Sequence, residues 1–192
     1  MSRIALTALI NSAFGLLAAC SSLPASHAPQ EYLDERSGAT ITMADKPLVF
    51  ASSRVERAAN LRDFLTLVPA SVNRAGSIQY TWIAYAWSTL DPLSAGKGES
   101  ESLVIRADNQ RIELLPMAAT AAQAGISMPM HGPAGVSSIS HVFGADLATM
   151  KLMATAKVVR LQVGTSDAAP YYELWEDGRA SLAAFLGFIN SH

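Results

Sequence analysis

The amino-acid sequence predicts an α+β, β-rich fold: an antiparallel sheet or sandwich built from hairpins, with a helix-strand-strand-helix C-terminal part. Three observations predict this fold. Short segments rich in β-branched and aromatic residues alternate between polar and apolar side chains. Turn-forming residues separate these segments at short intervals. Near the C-terminus, the apolar spacing changes to that of an amphipathic helix.

The first predicted strands lie on either side of a turn signal. Residues 40–43 alternate between polar and apolar side chains, and residues 48–51 form a short apolar segment. Asp45-Lys46-Pro47 separates them, and residues of these types favour turns. We therefore expect two short strands joined by a turn.

A longer strand is predicted at residues 64–72. Pro69 predicts that this strand lies at an edge or carries a bulge, because proline cannot donate a backbone hydrogen bond to a neighbouring strand. Asn73-Arg74-Ala75-Gly76 then predicts a hairpin turn, since glycine readily adopts the positive φ that such turns require.

Residues 78–88 form the strongest predicted strand. Tyr80 and Trp82 fall on one face, and Ile83 and Tyr85 fall on the other. Because neither face is very polar, we expect a central strand that is covered on both sides. An aromatic strand also suits stacking against sugar rings, as in a glycan-binding face, but two apolar faces favour an ordinary core position for Trp82.

The second half of the chain adds a hairpin, helices and two strands. Asp177 is predicted to cap the C-terminal helix. The apolar stripe of that helix consists of Leu182, Phe185, Leu186 and Ile189, which recur at helical spacing. The other predicted elements are a hairpin of residues 103–106 and 111–115, a short helix at 118–124, a helix at 146–156, and strands at 158–163 and 171–175.

The first 20 residues differ from the rest of the chain in their pattern of charge and hydrophobicity. Arg3 supplies one positive charge, and residues 4–19 follow without any charged side chain. A positive region followed by an apolar region is typical of a secretory signal peptide. The apolar segment is shorter than the about 20 apolar residues that a bilayer-spanning helix needs. It ends in Leu17-Ala18-Ala19-Cys20, which contains the only cysteine of the chain.

Leu17-Ala18-Ala19-Cys20 resembles the lipobox of bacterial lipoproteins, which reads aliphatic, small, small, cysteine. The resemblance covers only the leader. It implies cleavage before Cys20, a diacylglyceryl thioether on the Cys20 sulfur and acylation of the new amine, so that several acyl chains hold the protein at a membrane. An alternative is ordinary cleavage near Ser26-His27-Ala28, although Pro29 would then follow the cut, where proline is poorly tolerated.

These features divide the chain into a signal peptide (residues 1–19), a lipidated flexible tether (residues 20–30) and a single globular domain (residues 31–192). Ser21 follows the lipidation site. In Gram-negative lipoproteins an Asp at that position causes retention at the inner membrane, so the resemblance implies an outer-membrane protein that faces the periplasm. A net charge of −2 gives no reason to expect a nucleic-acid partner.

Two sets of side chains raise chemical hypotheses. Met128, Met130 and His131 bring two thioethers and an imidazole together, and thioethers are soft ligands suited to Cu(I). The alternative reading is that methionine fills irregular gaps in a core. His131 and His141 are the candidate general bases of a small hydrolase, but no Gly-x-Ser-x-Gly motif precedes either of them. We therefore assign no catalytic residue.

The predicted function is that of a membrane-anchored envelope lipoprotein with a non-enzymatic binding, assembly or structural role. Its partners are the membrane, through the lipid on Cys20, and an envelope protein or a glycan. No cofactor is predicted apart from that covalent lipid. A periplasmic copper-binding lipoprotein and a small envelope hydrolase are the alternatives.

Overall fold

A computed structural model of the chain describes residues 27–52, 62–89, 102–128, 131–135, 138–166, 168–169 and 171–191. Half of the described residues lie in strands, which form one antiparallel, nearly closed sheet accompanied by two helices. The prediction of a β-rich antiparallel fold is therefore confirmed. Within these ranges, neither helix has the length and apolarity needed to cross a bilayer. The predicted leader and Cys20 lie outside the described residues.

The described part of the chain contains eleven strands and two helices. The strands are β1 (Gln30–Asp34), β2 (Ala39–Met43), β3 (Leu48–Ser52), β4 (Asp63–Arg74), β5 (Ser77–Ser88), β6 (Leu103–Ala107), β7 (Gln110–Leu114), β8 (Pro116–Ala118), β9 (Ile139–Gly144), β10 (Val159–Val163) and β11 (Tyr171–Glu176). The helices are α1 (Leu147–Thr155) and α2 (Arg179–Ile189).

The sheet curls because the strands at the two ends of its order are neighbours in sequence. The order is β7-β6-β10-β11-β3-β4-β5-β9-β8, with β2 paired to β4 and β1 paired to β2. Only Leu115 separates the end of β7 from the start of β8. The two ends of the strand order must therefore approach each other, which accounts for the nearly closed shape.

β4 is a central strand, so the expectation that Pro69 marks an edge or a bulge is wrong. β4 pairs with β5 along its whole length, and its other side pairs first with β3 and then with β2. Pro69 lies between Leu67, which pairs with β3, and Ala70, which pairs with β2. The Pro69 carbonyl accepts a hydrogen bond from the Ala44 N–H (3.4 Å). The proline nitrogen points to the same side and therefore faces the junction between two partner strands, where a missing donor costs little.

β5 separates two layers of apolar side chains, as its alternating sequence predicts. Trp82 and Ala84 lie in the layer that packs against both helices, here called the helix-covered layer. Ile83 and Tyr85 lie in the layer that packs against residues 121–126, here called the loop-covered layer. The helices contribute Met150, Met153, Leu182, Phe185 and Leu186 to the first layer.

Residues 118–124 do not form the predicted short helix. Residue 118 ends β8, and a turn follows at residues 121–125. Gly125 adopts a left-handed φ of +86°, and the Ile126 N–H bonds back to the Ala121 carbonyl at 2.9 Å. A left-handed residue ends a helix, so only one turn forms before the chain packs on the loop-covered layer.

The start of α2 also differs from the expectation. Gly178, and not Asp177, occupies the N-cap position. A Cβ at Gly178 would lie 2.2 Å from the Pro47 carbonyl oxygen, so the close approach of these two backbones requires glycine. The Asp177 carboxylate instead accepts hydrogen bonds from the Arg179 backbone N–H (3.0 Å) and from the Arg179 guanidinium.

Candidate functional site

Three aromatic side chains meet on the surface near the ends of β5 and β11 and the start of β4. Phe64 of β4 and Trp87 of β5 are directly opposite each other in the sheet. Their rings stack with centroids 4.1 Å apart and planes at 11°. Trp175 of β11 meets Phe64 edge-on, with centroids 6.2 Å apart and planes at 75°. Both arrangements are favourable geometries for aromatic pairs.

A β-bulge places Trp175 in this group. The register between β11 and β3 shifts between Leu174 and Glu176, so Trp175 has no direct partner on β3. A bulge of this kind redirects a side chain relative to the regular alternation of a strand. The side chain of Trp175 remains 55% exposed.

The three rings line a cleft of about 320 Å³, here called the aromatic cleft. The Thr66 hydroxyl on its wall accepts a hydrogen bond from Trp87 Nε1 (3.0 Å), which fixes the orientation of that indole. The Arg62 guanidinium lies 5.0 Å from the centre of the Trp175 ring, in a cation–π contact, but it is not among the lining residues. The wall also includes Pro47, Val49, His131, Pro133, Ala134 and Glu176.

His131, a residue of the cleft wall, has an unusual backbone conformation and a buried imidazole nitrogen. Its backbone has a φ of +68°, a left-handed conformation that is uncommon outside glycine. Burial lowers the pKa of the imidazole, against the opposing effects of a hydrogen bond to the Ala44 backbone and the nearby charge of Asp45. The ring is therefore neutral at pH 7. Its Nε2 is buried and has no hydrogen-bond partner in the described part of the chain.

The predicted copper ligands are only partly described. Met128 is 63% exposed, and its carbonyl accepts a hydrogen bond from the Tyr32 hydroxyl (2.8 Å). His131 lines the aromatic cleft, whereas Met128 does not, and Met130 lies outside the described residues. The described ranges contain no cluster of three or more His, Cys, Asp or Glu side chains arranged to hold a metal ion. Copper binding by Met128, Met130 and His131 stays a prediction.

His27 and His141, the other described histidines, do not line this cleft. His141 of β9 is opposite Ala84 of β5, and burial lowers its pKa. His27 lies in the predicted tether, three residues before β1 begins. Its Nδ1 atom is 3.2 Å from the hydroxyl oxygen of Ser181 on α2. His192 lies outside the described residues. The hydrolase hypothesis also stays a prediction.

Asp34 is the most strongly bonded buried carboxylate among the described residues, and its role is structural. It is 1% exposed and accepts hydrogen bonds from the backbone N–H groups of Arg36 (3.1 Å) and Ser37 (3.0 Å). The N–H and hydroxyl of Ser127 also donate to it, at 2.5 and 2.8 Å. The Ser127 backbone bond, followed by the other bonds, lowers the pKa of Asp34 to about 2. Asp34 thereby ties β1 to the end of the segment that covers the loop-covered layer.

The sequence did not identify the aromatic cleft. Its aromatic candidate was the strand around Trp82, and Trp82 is fully buried, which confirms the core interpretation. Trp87 lies on the same strand but on the opposite face. Trp87 and Trp175 lie at the ends of their predicted strands, where side chains are often outside the core. That position was the feature of the sequence that could have indicated the cleft.

The described residues thus form a β-rich antiparallel protein with a surface cleft lined by aromatic side chains. The chain matches no protein-family model, no curated protein and no solved structure.

Proposed function

We propose that this chain is a lipid-anchored lipoprotein of the bacterial cell envelope with a non-enzymatic binding role, and that it binds its partner through the aromatic cleft. The observation that carries the binding role is the exposed Trp175, held by a bulge against the stacked pair of Phe64 and Trp87. The hairpins and the helix-strand-strand-helix ending build the module that supports this surface.

Two features support the anchor. Leu17-Ala18-Ala19-Cys20 has the order of residue types that a lipobox requires, and Cys20 is the only thiol of the chain. Fewer than ten residues separate Cys20 from His27, whose side chain contacts Ser181 of α2. The acyl chains on Cys20 would therefore hold the module close to the membrane surface, on the periplasmic side of the outer membrane.

Exposed tryptophan supports a binding surface. Tryptophan buries a large area with few rotatable bonds, and it is enriched among the residues that contribute most to binding energy. The concave shape of the cleft and its few polar groups are typical of ligand sites. A glycan and an envelope protein are the partners expected in this compartment.

The anchor is tested by metabolic labelling with an alkyne-tagged palmitate, followed by membrane fractionation. We expect labelled protein in the outer-membrane fraction, no label on Cys20→Ala, and a shift of that variant to the soluble periplasm. Ser21→Asp should keep the label and move the protein to the inner membrane. Ala28→Lys, which blocks ordinary cleavage near Ser26-His27-Ala28, should leave labelling unchanged. Labelling that persists in Cys20→Ala would refute the anchor.

The binding role is tested by placing a photo-crosslinking amino acid at Ala134, an exposed residue of the cleft wall, in living cells. The matched control is the same substitution at Val158, which is 52% exposed and does not line the cleft. We expect an adduct only from position 134 and its loss when Trp175→Ala is added. Identical adducts from both positions, or adducts that survive Trp175→Ala, would contradict binding through the cleft.

A further inference from the structure

Trp175 is the exposed electron-rich ring of the aromatic cleft, and it stands against the buried ring of Phe64. Trp175 stands nearly perpendicular to Phe64, which stacks on Trp87, so the rings form a corner and not a flat platform. The faces of aromatic rings attract cations, and tryptophan does so most strongly. The Arg62 guanidinium over Trp175 shows that this ring already interacts with one positive charge.

The charged groups around the cleft favour a positive ligand. The acidic residue Glu176 lines the cleft, and the negative charge of Asp45 acts on His131. His131 is neutral at pH 7 because burial disfavours its charged form. No lysine or arginine is among the described residues that line the cleft, and Arg62 is the opposing charge beside it.

The size and rigidity of the cleft favour a small ligand. Its volume of about 320 Å³ lies at the lower end of the range of small-molecule sites, about 300–1,000 Å³. The hydrogen bond from Trp87 to Thr66 and the stacking on Phe64 hold two of the rings in place before any ligand arrives. Preorganised walls reduce the entropy lost on binding.

We propose that the aromatic cleft binds an organic cation with a trimethylammonium group, which contacts the exposed ring of Trp175 and is neutralised by Glu176. This inference rests on the proposed binding role and adds the chemical class of the ligand. A sugar ring would also stack on Trp175 and could donate hydroxyl hydrogen bonds to Glu176, but a neutral sugar gains no attraction between opposite charges. The trimethylammonium group can belong to a free solute or to a lipid head group, and the experiment separates these two sources.

The test is a calorimetric titration of the full-length protein, purified in a non-ionic maltoside detergent, with choline and with 3,3-dimethylbutan-1-ol. The two compounds have the same shape and differ in charge. We expect choline to bind at least tenfold more tightly. Trp175→Ala should weaken choline binding at least tenfold, whereas Trp175→Phe should retain part of it. Phosphatidylcholine vesicles, with phosphatidylglycerol vesicles as the control, show whether a lipid head group reaches the same site.

Charge variants make the test specific. Glu176→Gln should weaken choline binding severalfold without affecting the uncharged compound, and Arg62→Gln should strengthen it because a competing cation is removed. Glu173→Gln is the matched control, since that exposed carboxylate lies on the same strand but pairs with Arg160 at 3.1 Å. The control variant should bind choline like the unmodified protein.

Several results would overturn the proposal. These are equal affinities for the two compounds, choline binding that is unchanged in Trp175→Ala, or no saturable binding of choline or of phosphatidylcholine vesicles. The protein could instead bind N-acetylglucosamine oligomers or a proline-rich peptide, in a manner that depends on Trp175, and fail to bind choline. That result would refute the proposal of a cationic ligand but keep the binding role. Absence of an in-cell adduct from position 134 in the otherwise unmodified protein would refute the binding role itself.

Discussion

Replacing Asp34 with asparagine removes the charge from a buried carboxylate but keeps its shape. The carboxylate accepts hydrogen bonds from three backbone N–H groups and one hydroxyl. In Asp34→Asn the side chain keeps only one oxygen. The new NH₂ group is itself a donor, so it cannot accept the hydrogen bonds that the second carboxylate oxygen accepted. Hydrogen bonds to charged groups contribute about 1.5–3 kcal/mol each, and asparagine keeps part of this set. We therefore expect the free energy of unfolding at pH 7 to fall by about 2–3 kcal/mol.

The lowered pKa of Asp34 gives a similar value for the loss of unfolding free energy, and it predicts how that loss depends on pH. Folding lowers this pKa to about 2, and a difference of that size from an ordinary aspartate corresponds to about 2.5 kcal/mol. Because the folded-state pKa is the lower one, the stabilisation is complete above about pH 5. It is lost as the pH falls through the folded-state pKa of about 2.

Urea unfolding followed by tryptophan fluorescence, repeated from pH 7 to pH 2, measures this effect. The gap in unfolding free energy between the unmodified protein and Asp34→Asn should stay constant from pH 7 to about pH 5 and should then shrink as the pH falls towards 2. Glu35→Gln is the matched control, because Glu35 is the neighbouring carboxylate and is exposed. A gap that is the same at pH 7 and pH 2 would show that the charge of Asp34 does not stabilise the fold.

Other predictions concern the packing and the cleft. Phe185→Ala, at a fully buried position of α2, should lower the unfolding free energy by about 3–5 kcal/mol in urea. Gly178→Ala should cost about 1–3 kcal/mol, because its Cβ would clash with Pro47. Gly187→Ala, in open space within the same helix, should raise the melting temperature, since alanine favours helices by about 1 kcal/mol over glycine. Trp175→Ala should change the unfolding free energy by less than about 1 kcal/mol, because the side chain is largely exposed.

The strands were predictable where side-chain periodicity alone determines them. β5 has apolar residues on both faces, and the structure buries both, as expected. The prediction from Pro69 was wrong because the energetic cost of a proline in a strand depends on what faces its nitrogen. Here the nitrogen faces the junction between β2 and β3, and the local sequence does not show that junction. β9, which contains His141, was missed because Ile-Ser-His-Val-Phe-Gly lacks a regular alternation.

The candidate site was harder to predict for a related reason. Phe64, Trp87 and Trp175 come from three strands, and only the pairing of those strands brings their rings together. The bulge that exposes Trp175 depends on a register shift against β3, for which the residues of β11 carry no local signal. The left-handed backbone of His131 is also set by its surroundings, since Gly132 next to it would adopt that conformation more readily.

The near-closure of the sheet also constrains when the protein can fold. β11 lies close to the C-terminus and joins β10 to β3, so that Glu173 lies opposite Ala51. Pairings between residues that are distant in sequence form slowly. For the exported lipoprotein proposed here, the two halves of the sheet could not be joined until residues 171–176 had crossed the inner membrane. The complete sheet would therefore form only on the periplasmic side.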